Sequence, residues 1–498
     1  MLERFFKLKA NNTTVKVEVL AGITTFMTMA YIIALNPNLL TGFGAGGATC
    51  PTDGTGGLWN AVFLATVLSS AAGTLIMALL ANKPFALAPG MGLNSYFASV
   101  VVAICSAAGY TSYEKGFSAA LSIILISGIL FTILTLLKIR EKIVDAIPLA
   151  VRLGIPAGIG MMLIHIGLTT NWSIYDDKGN LYTMLDTFFN AGPSDTKKAM
   201  GPELYKLMVI GVIATFVGII VIAALSHKKI KASILLGMVA STIIYWAGEF
   251  IFLDVNPFDA LKGRTWLPPF KDMAHYTLFK FNFGGLFEIG IFSAVMTIIT
   301  FCMVDMFDTI GTLYGTAKKA NMLDESGNMP GMNKAMLSDS LATCVGACTG
   351  TSTVTTFIES ASGVEAGGRT GLTSLVTGLL FLACMFIAPI AGIIPAPATS
   401  AALVYVGFLM ISSLKEVDYS DMASAAPVAL LLMFMTITGS VGNGIGIGLI
   451  SYSLIKLFTG RGKEVSVLTY VLAVLFIAKF FITCLLYTSD AADDRISV

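Results

Sequence analysis

The chain has 498 residues, 55% of them hydrophobic and only 12% charged, with a mean hydropathy of +0.81. Soluble domains carry about 25% charged residues, so the composition excludes a soluble globular protein and points to an integral membrane protein. The net charge is +1, and no basic arm or aromatic-interleaved patch exists, which excludes a nucleic-acid partner.

The first sixteen residues are polar and basic (Arg4, Lys7, Lys9, Lys16). Apolar runs of the about 15–25 residues that a bilayer demands follow at 17–36, 58–81, 117–137, 148–168, 207–225, 234–253, 286–315, 335–349, 372–394, 398–414 and 425–458. The first is followed by many others, so it is a span and not a cleaved signal peptide. The last is too long for one span, and its glycine-rich centre at 439–448 predicts two short helices with a tight link. Two shorter, broken elements at 84–105 and 350–363 bring the expected total to fourteen.

With the N-terminus inside, the cytoplasmic loops hold twenty Lys and Arg and the outer loops nine. Eight of those nine sit in two long loops, where charge has little orienting force. The bias therefore supports fourteen elements and a cytoplasmic N-terminus. The apolar run 465–486, interrupted by Lys479, is read as an additional span or an interfacial helix. Residues 487–498 change composition abruptly and are expected to be a non-native tail.

Fourteen elements suggest a repeat of seven. PFALAPGMGLNSYF in the third element reads as extended chain, a break at Pro89–Gly90, then helix. The tenth, GTSTVTTFIESASG (350–363), has the same plan: its first half is β-branched and its second half opens a helix. Two elements before each lies a span rich in Thr and Met (22–37 and 296–312). An odd number per half forces the halves into opposite orientations, and broken elements at corresponding positions of inverted repeats mark a transporter's substrate site.

Glu359 lies in the tenth element, and non-helical backbone at membrane depth is tolerated only where protein or a wet cavity surrounds it. Asp305 and Asp308 are three residues apart on one helical face, inside an apolar span where each carboxylate costs several kcal/mol unless paired or wet. Together the three make a site able to exchange a proton and to accept N–H groups of a neutral ligand. The plainer role for Asp308 is to tie its helix to neighbouring backbone. Asn94 offers both donor and acceptor to a heterocycle edge, its plainer role being a helix cap. Gly90 and Gly92 let backbone approach a ligand. Thr353, Thr355, Thr356, Ser360 and Ser362 either line the same cavity or satisfy broken backbone.

Other signals carry less. GFGAGG at 42–47 spells a dinucleotide fingerprint but lacks the strand–helix context. No Walker A sequence, zinc spacing or Ser–His–Asp arrangement stands out, so neither cofactor nor metal is expected. His165 sits alone on an apolar span, and Cys344 and Cys348 read as small packing residues.

The segments ALAPGMGLNSYF, VDMFDTIGTL and GTSTVTTFIESASGVEAGGRTGLTS, with NP after the first span, resemble the AzgA-like hypoxanthine/guanine permeases of the nucleobase–cation symporter 2 superfamily. The resemblance extends to about Lys479. It implies an all-α membrane fold of two inverted seven-element repeats, split into core (17–137 and 286–394) and gate (138–253 and 395–486) domains. It also implies an elevator motion, a homodimer and a plasma-membrane location. By the same resemblance Asp305, Glu359 and Asn94 bind the base, while Asp308, with Glu359, serves translocation and proton coupling.

Hypoxanthine and guanine present an N1–H to a carboxylate, which adenine does not, so 6-oxopurines taken up with protons are the expected cargo. Uracil or xanthine on the same fold is a weaker reading. A sulfate-type carrier fits poorly, because carboxylates repel an anion. An intramembrane aspartyl protease would place its two acids on different helices, whereas Asp305 and Asp308 share one. A passive channel would not accumulate substrate uphill.

Overall fold

The computed structural model describes residues 2–42, 57–137, 147–169, 201–261, 266–319 and 329–493, with 171, 173–175, 181–184 and 322 between them. The glycine-rich stretch 43–47 and the charged loop positions Lys138, Arg140, Lys142, Lys178, Lys197, Lys198, Lys262 and Arg264 lie outside the described residues. Ten helical stretches among the described residues, with Val15–Thr41 taken across its break as one, are long and apolar enough to cross a membrane.

The first apolar run is not one helix. α1 (Val15–Met29) starts at Thr14, whose hydroxyl accepts from the Val17 amide. It ends at Ala30, and α2 (Ile32–Gly42) begins after a break at Tyr31. The basic N-terminal segment also differs from a simple polar tail, because Phe6 and Leu8 are buried against Leu372. α3 (Gly57–Ile76) is followed by a wide-turn extension to Ala81.

Each broken element passes from strand to helix. β1 (Leu87–Pro89) leads into α4 (Met91–Ala107), and α5 (Tyr113–Leu136) returns. α6 (Leu149–Leu168) precedes a small hairpin, β2 (Ser173–Tyr175) and β3 (Leu181–Thr183), after which come α7 (Pro202–His227) and α8 (Ser233–Leu253). The second part of the chain has α9 (Ile291–Lys319), α10 (Met332–Thr349), β4 (Val354–Thr356), α11 (Ser360–Glu365) and α12 (Gly371–Ala383). The rest comprises α13 (Ala396–Ile411), α14 (Met422–Thr438), α15 (Val441–Phe458) and α16 (Val467–Asp493). The long run 425–458 thus splits at Gly439, whose φ of 58° ends α14 before Ser440 caps α15.

Packing follows the order of the chain only in part. α3 packs on α10 and α12, α1 on α12, and α5 on α9 and α10. Separately, α6 packs on α13 and α14, and α7 on α8 and α13. At the far end of α15, Lys456 is 1% exposed and pairs with Asp421 (3.1 Å) and Glu464 (3.0 Å), the same two carboxylates that Arg461 holds. A buried ammonium needs such pairing. An apolar cavity of about 200 Å³ lies between α5, α9 and α16, lined by Leu130, Cys302, Met303 and Leu472 among others. Its lining contains no carboxylate, amide or hydroxyl.

Candidate functional site

β1 and β4 meet in the interior as a two-stranded antiparallel pair, Leu87 opposite Thr356, Ala88 opposite Thr355 and Pro89 opposite Val354. The strands come from segments some 265 residues apart, and each needs the other because a broken span exposes backbone polar groups with no water to take them. The pairing is extended at both ends, with Gly90 N–H donating to Thr353 O and Phe357 N–H to Ala86 O, both at 3.0 Å. Side chains complete it. The Thr74 hydroxyl bridges the Leu87 amide and carbonyl, and Ser360 Oγ accepts from the Ala86 amide at 3.0 Å. Ser360 is therefore taken up by backbone of the first broken element.

Gly350 sets the entry to β4. It ends α10 at φ 113°, and a Cβ there would lie 2.1 Å from Thr277 Cβ. At the exit from β1 the two glycines do different things. A Cβ on Gly90 would stand 2.8 Å from Thr355 Cγ2 and 3.9 Å from Asp308 Oδ2, so this backbone does border a carboxylate. A Cβ on Gly92 would stand 2.2 Å from Ile159 Cγ2 of α6. Gly92 serves close helix packing.

Asn94 is fully buried one turn into α4. Its Oδ1 accepts from the Ser352 hydroxyl and its Nδ2 reaches the Pro89 carbonyl at 3.5 Å, so it spans both broken elements. Asp305 is fully buried on α9. Its Oδ2 accepts from Thr343 at 2.8 Å, and Thr343 also donates to the Val354 carbonyl of β4. Its Oδ1 is buried with no hydrogen-bond partner among the described residues. Asp308 lies one turn further along, within electrostatic range of Glu359. Among the described residues no backbone amide donates to Asp308, so the tying role weighed for it has no contact to rest on.

Glu359, the residue before α11, accepts at Oε1 from the Tyr31 hydroxyl at 2.7 Å. Thr355 and Thr356 are buried and committed: Thr355 shares a hydrogen bond with Thr309 (3.0 Å), and Thr356 donates to Asp339 Oδ1 (2.7 Å).

Two participants escaped the sequence reading. Asp339 of α10 is fully buried, accepts from Thr309 at 2.5 Å as well as Thr356, and lies within electrostatic range of Asp305 and Asp308. Its signal was present, a lone carboxylate inside the apolar run 335–349. Tyr31 gave none, since a tyrosine in an apolar span is ordinary.

The site thus brings acceptor oxygens from α9, α10 and Glu359, the residue before α11, to the paired strands, with Asn94 of α4 joined to both broken elements. No Lys or Arg pairs with these acids among the described residues, and no group of three or more His, Cys, Asp or Glu there is arranged to hold a metal ion. Such a site suits a ligand rich in N–H donors and repels anions.

The sequence model described as "Permease family" matches residues 16–447, most of the chain. The chain belongs to the permease family. This permease is 39% identical over 479 residues to a putative permease of Methanocaldococcus jannaschii, covering 96% of this chain and 98% of that one. It is 36% identical over 480 residues to the guanine/hypoxanthine permease PbuO of Bacillus subtilis, covering 96% and 100%. It is also 36% identical over 482 residues to the adenine permease AdeP of Escherichia coli, covering 96% of each.

Among solved structures, the transmembrane domain of a cyanobacterial bicarbonate transporter, BicA, superposes with a TM-score of 0.59 at 15% identity, covering 86% of this chain and 96% of that one. That likeness speaks to the fold alone: a mostly helical, membrane-spanning transporter. The permease is a transporter and not an enzyme, which disposes of the protease reading.

Proposed function

We propose that this permease imports 6-oxopurine nucleobases, hypoxanthine and guanine, by proton symport. The observation that carries the reading is the pairing of β1 and β4, beside which Asn94, Asp305, Asp308 and Glu359 lie and where Asp305 Oδ1 has no donor among the described residues. A buried acceptor left unpaired costs about 1–3 kcal/mol, and a purine N–H is the kind of group that removes the cost. Asp305 and Glu359 accept from the base, Asn94 serves its edge, and Asp308, beside Glu359, carries the proton through the transport cycle.

In this reading the chain forms fourteen elements in two inverted repeats of seven. Residues 17–137 and 286–394 make a core that slides against a gate of 138–253 and 395–486. Two features support it: β1–α4 and β4–α11 follow the same strand-then-helix plan, and α6–α8 and α13–α15 pack mainly on one another. The N-terminus is cytoplasmic, the location the plasma membrane, and the assembly a homodimer.

A second reading, adenine, is favoured by the equal identity to AdeP. One experiment separates them: uptake of radiolabelled hypoxanthine into purine-transport-deficient bacterial cells, with unlabelled guanine, adenine or uracil as competitors and with or without a protonophore. Accumulation that guanine blocks, adenine spares and the protonophore collapses supports the proposal. Competition by adenine alone, or uptake indifferent to the protonophore, overturns it.

A further inference from the structure

Glu359 takes its one side-chain hydrogen bond, among the described residues, from Tyr31. Its own backbone amide is the other donor to the carboxylate there. The phenol comes from the break between α1 and α2, and that break is held firmly. The Ala30 amide closes α1 on Phe26 O, while the Tyr31 carbonyl receives the Ala34 and Leu35 amides that open α2. Tyr31 is 1% exposed, so its ring is clamped as well.

The end of α1 and the start of α11 also pack without slack. A Cβ on Gly363 would lie 2.0 Å from Thr25 Oγ1, and the Thr28 hydroxyl reaches the Glu359 carbonyl at 3.5 Å. Two fixed backbones therefore set the distance between the phenol and the carboxylate.

We propose that Tyr31 is a positioning residue for the ligand site: its hydroxyl occupies Glu359 Oε1, fixes the plane of the carboxylate and leaves Oε2 to accept an N–H of the bound ligand. The inference rests on Glu359 being a ligand-contacting group. A carboxylate held by one strong donor keeps its second oxygen pre-aimed, so less orientational freedom is lost on binding. The helix break at Tyr31 then has a purpose, since an unbroken helix through residue 31 would not present the phenol from a junction anchored to two helix ends.

The test uses the full-length protein as wild type, Tyr31→Phe and Glu359→Gln. Infrared difference spectra between acid and neutral solution identify the Glu359 carboxyl band as the one that Glu359→Gln removes. Hypoxanthine uptake gives KM and Vmax. Tyr31→Phe keeps the ring and its packing, so membrane abundance stays at the wild-type level. The expected result is a displaced Glu359 band, with KM raised about tenfold and Vmax within about twofold of wild type.

An unmoved band overturns the proposal, and so does a loss of Vmax and abundance at unchanged KM, which is the signature of mere packing. If the wild type takes up none of hypoxanthine, guanine or adenine, the purine reading falls. The band still decides Tyr31: a displaced band upholds the hold on Glu359, and an unmoved one refutes it.

Discussion

Thr356 donates its hydroxyl to Asp339 at 2.7 Å, fastening β4 to α10 through a carboxylate that is fully buried. Thr309 of α9 donates to the other oxygen at 2.5 Å, so one acid ties together the strand and both flanking helices. Thr356→Val preserves the shape but strips one donor from a group that no water can reach. The expected cost is about 1–3 kcal/mol, read as a lower apparent melting temperature in detergent. Thr356→Ser restores the donor and most of the stability. A valine variant as stable as wild type would show that Thr309 and the Thr356 backbone amide satisfy Asp339 without the hydroxyl.

Asp308 and Asp305 share a helical face yet differ in their contacts. Asp305 is anchored through Thr343, whereas Asp308 borders Gly90 and faces Glu359 without a described hydrogen-bond donor. A carboxyl free of anchoring suits a group that changes protonation during a cycle. Asp308→Asn is therefore expected to bind hypoxanthine nearly as wild type while uptake falls by more than about tenfold, a change of about 1.4 kcal/mol in the limiting barrier. Filter binding to membranes set against uptake in cells checks the split. Equal loss of binding and uptake would make Asp308 a direct ligand of the base.

Much of this site was legible because membrane physics leaves few readings for a carboxylate or a glycine–proline break inside an apolar run. Asp305, Asp308, Glu359 and the breaks at Pro89–Gly90 and Gly350 stood out for that reason. The division of 425–458 into α14 and α15 was equally readable from its glycines. What remained hidden depends on partners distant in the chain. Tyr31 acquires meaning only once Glu359, 328 residues away, is placed against it. Gly92 and Ser360 looked like cavity residues, but their neighbours Ile159 and Ala86 show them to be packing and backbone contacts. The kink in the first apolar run was missed because no glycine or proline marks residues 30–31.

The ion cluster around Lys456 predicts how stability responds to acid. Hydrogen bonds from Ser424 and then Arg461 hold the Asp421 carboxyl well below the usual carboxylate range, and Arg461 followed by Lys456 lowers Glu464. Both keep their charge to lower pH when folded than when unfolded. Their contribution is therefore complete above the ordinary carboxylate values of about 4 and is lost as pH falls through the lowered folded values. Asp421→Asn removes part of that dependence. Melting temperatures in detergent from neutral to acid pH should fall less steeply for this variant, from a lower starting point. Parallel curves for variant and wild type would show that the cluster contributes nothing to acid sensitivity.

Gly92 offers the sharpest test of whether α4 slides against α6. A Cβ at this position would come within 2.2 Å of Ile159 Cγ2, closer than any relaxed contact, with Ile159 Cδ1 at 3.1 Å behind it. Overpacking of this kind costs about 1–3 kcal/mol where the neighbour cannot yield. If α4 travels with the core and α6 stays with the gate, Gly92→Ala wedges a sliding surface, and transport suffers more than folding does. The expected outcome is a Vmax reduced about tenfold with KM little changed. Shortening the obstruction with Ile159→Ala should restore most of the rate in the double variant, because the two residues touch and their effects are not additive. Failure of Ile159→Ala to rescue would mean that α4 and α6 move as one body, and the proposed boundary between core and gate would have to be drawn elsewhere.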